Sequence, residues 1–268
     1  MNTADISVSG MIFAFAAVAV SLIILTNLKI KLRKEVVLTF ARMTVQLLLV
    51  GLYLQVLFDI NNPFLNAAYI FVMMIAADYT VLRSSGFTMK LFIYTLPAYM
   101  ISITAVLVYY MIAVFSPDNV LDARYIIPIA GMLLGNSMTR TVVTLERFYT
   151  SIQREYDTYL SYLFMGATYK EAVIPFFRNA YKAGLAPSLA NYAAIGLVSL
   201  PGMMTGQILG GSNPMVAVKY QIAIILAIFA ATEISTMLAL IFSLKKGILP
   251  TGFLNRSIFR KARVSIKS

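Results

Sequence analysis

Ile6-Ser-Val-Ser-Gly-Met-Ile-Phe-Ala-Phe-Ala-Ala-Val-Ala-Val-Ser-Leu-Ile-Ile-Leu-Thr-Asn-Leu28 is a run of 23 residues without one charged side chain. A helix that crosses the hydrocarbon core of a bilayer needs about 20 such residues. The run follows Asp5 rather than a basic cluster and exceeds the length of a signal-peptide core, so it reads as a retained membrane helix. Six more runs follow: about Val36–Phe58, Phe64–Leu82, Leu91–Phe115, Tyr125–Val143, Ala190–Leu209 and Val216–Leu244. The predicted fold is all-α, a polytopic membrane protein of about seven transmembrane helices forming one domain over residues 1–268.

Composition agrees. Of 268 residues, 60% are apolar and 12% charged. Soluble domains run nearer 45–50% and about 25%. A water-soluble globule would expose too much apolar surface, and a disordered chain would carry far more charge. Cysteine and histidine are both absent. That removes disulfides, thiolate metal sites, cysteine nucleophiles and the triads that depend on an imidazole base.

The formal charge of +11 is explained by topology. Twenty of the 22 Lys and Arg residues fall in four segments that share one side. They are Lys29–Arg42, Arg83–Lys90, Arg140–Lys182 and the basic tail at 245–268; only Arg124 and Lys219 fall opposite. The positive-inside rule puts the N-terminus outside and the C-terminus in the cytoplasm, as expected for a multi-pass protein of the cell (inner) membrane. Nucleic acid is not needed to account for the basicity.

One connection is long, a cytoplasmic loop at 146–189. Tyr156, Tyr159, Leu160 and Leu163 form an apolar helical stripe, and Gly166 has the character of a helix stop. Thr168-Tyr-Lys-Glu171 reads as a capping box opening a second helix, which is either very short or restarts at Pro175, with Gly184 able to end it. Val173, Phe176, Phe177 and Ala180 continue its apolar face. The pair either lies on the bilayer surface or presents a face to a cytoplasmic partner, and periodicity does not choose.

Within the spans, Gly131 and Gly135 in the fifth, and Gly202, Gly206 and Gly210 after Pro201 in the sixth, sit at four-residue spacing. Small-xxx-small rows predict close helix packing. Met132, Met138, Met203 and Met204 stand beside them as gap fillers or soft ligands. Arg42, Asp78 and Glu233 are the costly intramembrane charges. Glu233, with Thr232, Ser235 and Thr236, is the deepest and must face the bundle interior or a partner. No Gly-Lys pair exists, so no Walker A loop is present.

Three blocks carry a resemblance: Arg42-Met-Thr-Val-Gln46 with Gly51, Pro128-Ile-Ala-Gly131-Met132-Leu-Leu-Gly135-Asn136-Ser-Met138, and Gly196-Leu-Val-Ser-Leu-Pro201-Gly202-Met203-Met204-Thr-Gly206 through Asn213-Pro214 to Ile222. Together they resemble the FetB-type permease family, membrane subunits of an ABC transporter implicated in bacterial iron export, with plant relatives tied to aluminium tolerance. The resemblance spans about residues 36–243. It implies that Gly166, Ala167, Thr168, Glu171 and Ala172, with Phe176 and Phe177, dock on a separate cytoplasmic ATPase. ATP and Mg would then be bound by that partner, no cofactor by this chain, and the permease would be a homodimer in the lipid bilayer. Where family members are expected to carry an acidic residue and alanines before Gly166, this chain has Ser161-Tyr-Leu-Phe-Met165. Met132, Asn136, Met138, Met203, Met204, Gln207 and Glu233 are the expected path. The open alternatives are an organic or lipid-like substrate, a scaffold or sensor that transports nothing, and a secondary transporter using Glu233 as a proton relay.

Overall fold

The computed structural model describes residues 7–116, 119–249 and 251–260. Nine α-helices order them: α1 (Val8–Asn27), α2 (Arg33–Ile60), α3 (Pro63–Ser84), α4 (Phe92–Tyr110), α5 (Ala123–Arg154), α6 (Tyr156–Phe164), α7 (Tyr169–Ala194), α8 (Gly202–Leu209) and α9 (Pro214–Gly247). A 3-10 turn at Met89–Leu91 and a π turn at Met111–Phe115 lengthen α4 at its two ends. The starts are encoded locally. Ser7, Asn62, Asp122, Thr168 and Asn213 each accept a hydrogen bond from a first-turn amide, and Pro63 and Pro214 occupy first-turn positions whose amides need no partner.

Among the described residues, six helices are long and apolar enough to cross a membrane: α1, α2, α3, α4 with its flanking turns, α5 and α9. The seventh expected span, Ala190–Leu209, is not one helix. It is the last turn of α7, a non-helical segment at 195–201, and the eight-residue α8. Pro201, with ψ at 142°, stands at the start of α8 and cannot donate into a continuing helix.

Contacts across the bundle show that this broken element still returns the chain. Ser137 meets Thr232 at 3.3 Å, Thr141 meets Thr236 at 3.2 Å, and the Tyr149 hydroxyl donates to Ser243 at 2.9 Å. The near-constant offset means that α5 and α9 run parallel, so the chain between them must travel back. Helix α7 does so antiparallel to α5: Phe177 packs on Phe148, Gly184 on Thr144, and Tyr192 on Phe229. Helix α8 completes the journey beside the starts of α5 and α9, where Met203 and Gln207 join Met132 and Tyr220.

The expected loop at 146–189 is therefore mostly rigid helix. α5 runs on to Arg154, past the apolar limit at Val143, and α7 continues through Pro175, Gly184 and Pro187 without a stop. α6 packs one side on the chain's own core. Tyr159 is fully buried, its ring edge-on to Phe176, and its hydroxyl donates to the Gly252 carbonyl at 2.6 Å. Residues expected as a basic tail begin as the last turn of α9 and then fold back on the bundle. The Thr88 amide donates to the Ile258 carbonyl at 2.7 Å, the Arg260 amide to the Gly86 carbonyl at 2.9 Å, and Phe259 packs on Phe87 and Tyr149. The remainder, 261–268 with Lys261, Arg263 and Lys267, lies outside the described residues.

The core sits between α3, α4, α5, α7 and α9. No residue of α1 is buried, and Leu57 is the one buried residue of α2. Close backbone approach occurs where the glycine rows did not place it. A Cβ on Gly184 would stand 2.1 Å from Thr144 Oγ1, and one on Gly247 2.1 Å from the Tyr149 hydroxyl. At Gly135, Gly202 and Gly206 it would meet nothing within 4 Å; at Gly131 it would touch only Met73, and at Gly210 only the backbone of its own helix. Gly184→Ala and Gly247→Ala should each lower stability by about 1–3 kcal/mol through overpacking, whereas Gly135→Ala should be neutral or better in an isolated chain. Detergent unfolding of the three variants checks the order.

Candidate functional site

The arrangement of α5, α7 and α9 puts one charge cluster inside the bundle. Arg140 Nη1 donates to Glu233 Oε1, and the Tyr181 hydroxyl donates to Glu233 Oε2. The Arg140 guanidinium also stands 4.9 Å from the centre of the Tyr181 ring, within cation–π range. Each partner comes from a different helix, and Gly184, one turn beyond Tyr181, lets α7 lie close enough to reach. Burial is asymmetric: the Arg140 side chain is 2% exposed and that of Glu233 24%. Arg140 Nε and Nη2 have no hydrogen-bond partner among the described residues.

Arg140 is the functional residue that sequence reasoning missed. Its position next to the apolar limit at Val143 made it look like one more interfacial base. The usable signal was its spacing: Ser137, Arg140, Thr141 and Thr144 recur at three and four residues, as Thr232, Glu233, Ser235 and Thr236 do on α9. Two polar stripes in apolar helices answer one another. Asp78 is fully buried on α3 and accepts from Thr95 Oγ1 on α4 at 3.0 Å, well away from lipid. Arg42 stays exposed on α2.

Toward the α8 end, a cavity of about 280 Å³ is lined by Arg124, Tyr125, Met132, Met203, Gln207 and Tyr220, among others. Met132, Met203 and Gln207 of the expected path meet here, and Gln207 Oε1 is buried without a partner among the described residues. Met138 packs in the core and Met204 is half-buried outside the lining. Asn136 lies on the exposed face of α5, where its Nδ2 donates to the Met132 carbonyl at 2.8 Å. Gly135, Asn136 and Thr139 make that face small and polar. No group of three or more acidic, His or Cys side chains that could hold a metal ion occurs among the described residues. The chemistry on offer is a guanidinium, amides, hydroxyls and thioethers.

At the other end, the corner between α6 and α7 has the predicted capping box. The Glu171 amide donates to Thr168 Oγ1 at 3.4 Å, while Glu171 Oε2 accepts from the Thr168 amide at 2.8 Å and from its hydroxyl at 2.7 Å. Those bonds, the hydroxyl's first, hold the Glu171 carboxyl below its ordinary value of 4.5. Gly166 takes φ +92°, a left-handed turn that only glycine adopts without strain, and Ala167 is half-buried beside it. The aromatic expectations are corrected. Ala172 and Phe176 are buried in the chain's own core, and Phe177 is half-buried between Phe148 and Tyr181. Exposed instead are Phe164, at 79%, and Met165, at 75%. They stand where family members were expected to carry an acidic residue and alanines.

Comparison with known proteins is consistent along the chain. The probable iron export permease protein FetB of Escherichia coli is 28% identical, over 92% of this chain and 94% of its own length. A UPF0014 membrane protein of Synechocystis sp. is 33% identical over 73% of this chain and 76% of its own. The protein ALUMINUM SENSITIVE 3 of Arabidopsis thaliana is 29% identical, covering 84% and 81% respectively. No solved structure gives a significant match. The model of the uncharacterised protein family UPF0014 matches residues 8–248. This multi-pass membrane protein belongs to the UPF0014 family.

Proposed function

We propose that the chain is the membrane-spanning permease subunit of an ABC transporter, exporting iron or another metal, and that a separate cytoplasmic ATPase binds the ATP and Mg that drive it. It sits in the cell (inner) membrane with its N-terminus outside and its C-terminus cytoplasmic. The observation that carries this reading is α7. One 26-residue helix begins at the exposed Phe164–Glu171 corner and reaches Tyr181 on Glu233 and Gly184 on Thr144. At 1.5 Å per residue that is a rod of about 39 Å. A partner pushing on the corner would move a lever whose far arm holds the intramembrane ion pair.

The second half of the reading is a homodimer. Segment 195–201 is non-helical at the level of α5 residues near 134, because Tyr192 packs on Phe229 and Met203 reaches Met132. Irregular backbone at that depth is stable only where protein or a polar path covers it. Leu197 and Val198 are exposed, as are Gly135 and Asn136 of α5. A second copy covering this face would enclose a polar path between the two chains. The resemblance to FetB of Escherichia coli supports the transport class and the metal.

Three outcomes test the reading. Phe164→Ala with Met165→Ala should abolish co-purification of the ATPase and its stimulation, with the fold intact. Phe176→Ala should instead destabilise the chain by about 3 kcal/mol or more, the cost of emptying a packed aromatic site. Wild-type ATPase recovery by the corner variant would contradict the docking face. Second, the depressed Glu171 carboxyl gives stability that is present above its unfolded value and lost as pH falls through its lower folded one. Hydrogen exchange at residues 169–172 should therefore accelerate below about pH 4.5, and Glu171→Gln should remove that step. Third, Glu233→Leu leaves Arg140 buried and unpaired and should cost about 3–5 kcal/mol. Glu233→Gln should fold and change coupling, read as ATPase stimulation in nanodiscs.

A further inference from the structure

The buried side-chain atoms without a partner among the described residues are four acceptor oxygens, on Asn66, Asp78, Gln207 and Gln221, the Tyr99 hydroxyl, and two charged donors, both on Arg140. Glu233 spends one oxygen on Arg140 and the other on Tyr181. Asp78 is buried between α3 and α4, neither of them a helix of the ion pair, with Oδ2 on Thr95 and Oδ1 unpartnered among the described residues. Arg140, by contrast, uses Nη1 alone, and Nε and Nη2 are unpartnered among the described residues on a side chain that is 2% exposed. Those two nitrogens form the side-on edge of the guanidinium, whose parallel N–H groups match the two oxygens of a carboxylate or phosphate. Leaving such donors buried and unmatched costs free energy, so this edge is suited to receive an anion. Arg124 repeats the charge in the cavity at the α8 end, 16 residues earlier on the same helix and so about 24 Å away.

We infer that the transported species is an oxyanion, bearing a carboxylate or phosphate group, and that the side-on edge of Arg140 is its binding site inside the membrane. This rests on the permease reading and names its substrate class: a metal moved by this chain travels as an anionic oxygen-ligand complex, not as a bare cation. A bare divalent cation would meet no spare carboxylate beside Glu233 and would be repelled by Arg140 and Arg124. In the present conformation α7 covers the receptor. Tyr181 lies over the guanidinium, and a Cβ on Gly184 would come 3.4 Å from Arg140 Cγ. On this proposal, withdrawal of α7 opens a way to the guanidinium while Glu233 still holds Nη1.

Calorimetry on the full chain in nanodiscs, with its ATPase bound and either nucleotide-free or ATP-trapped, tests this with ferrous ion alone, citrate, ferric citrate and phenyl phosphate. Citrate, ferric citrate or phenyl phosphate should bind at a single competing site, and ferrous ion alone should not. Preference between citrate and phenyl phosphate assigns the carboxylate or phosphate form. Arg140→Lys keeps the charge but loses the fork, so affinity should fall about tenfold or more. Because that variant could unfold, Arg140→Gln combined with Glu233→Gln keeps a neutral pair and should fold while losing the anion. Saturable binding of ferrous ion alone, or unchanged citrate affinity in Arg140→Lys, overturns the inference. ATPase co-purification is scored separately: a chain that recruits its ATPase yet binds only bare metal leaves the permease reading standing and removes this one.

Discussion

A carboxylate deep in an apolar helix is the constraint around which this bundle is organised. An acidic side chain at mid-span costs about 2.5–3.5 kcal/mol on insertion scales if nothing answers it. Glu233 is answered from two directions, by Arg140 of α5 and Tyr181 of α7. For both to reach it, α5 must run parallel to α9 and α7 must lie against α5. The hydroxyl pairs Ser137–Thr232 and Thr141–Thr236 hold the first condition, and Gly184 permits the second. Parallel neighbours in turn force the intervening chain to return across the membrane. That return is the broken element α7–α8.

The same geometry links the two ends of the molecule. The corner at Phe164–Glu171, the ion pair, and the break at 195–201 all belong to, or adjoin, one helix. A displacement at the corner is passed along α7, through Pro175, to the contacts along its length, where packed interfaces switch between discrete arrangements rather than deform smoothly. An ion pair that spans three helices is suited to be such a switch, because it holds one arrangement and is costly to leave half-made. In the proposed homodimer, the exposed α1–α2 hairpin would face lipid and the small polar face of α5 the second copy.

Much of this was legible in the sequence, and the failures share a cause. Apolar length located α1 to α5 and α9, and the Thr168–Glu171 box located the start of α7, since both signals are local. The return crossing was misdrawn as a single span because hydropathy averages over Pro201 and cannot register a break. Helices α5 and α7 outran their apolar limits because their polar residues face other parts of the chain: Arg140 faces Glu233, and the Tyr149 hydroxyl faces Ser243. Phe176 and Phe177 looked like a partner-facing stripe because a helix periodicity reports that a face is buried, not what buries it. In this chain Tyr159, Phe148 and Tyr181 bury it. Of the glycine rows, Gly135, Gly202 and Gly206 keep open faces within the single chain.

The claim that α7 is a lever acting on the ion pair can be measured directly, since the chain has no native cysteine to confuse labelling. Spin labels at Lys182→Cys on α7 and Arg147→Cys on α5, both at exposed positions, report their separation by double electron–electron resonance in nanodiscs with unlabelled chain in excess. With the partner ATPase present, the account predicts one distance without nucleotide and a second, distinct one when ATP is trapped. It further predicts that the Phe164→Ala, Met165→Ala variant stays at the first. A single distance in every state, while the ATPase is bound and hydrolysing, would contradict it.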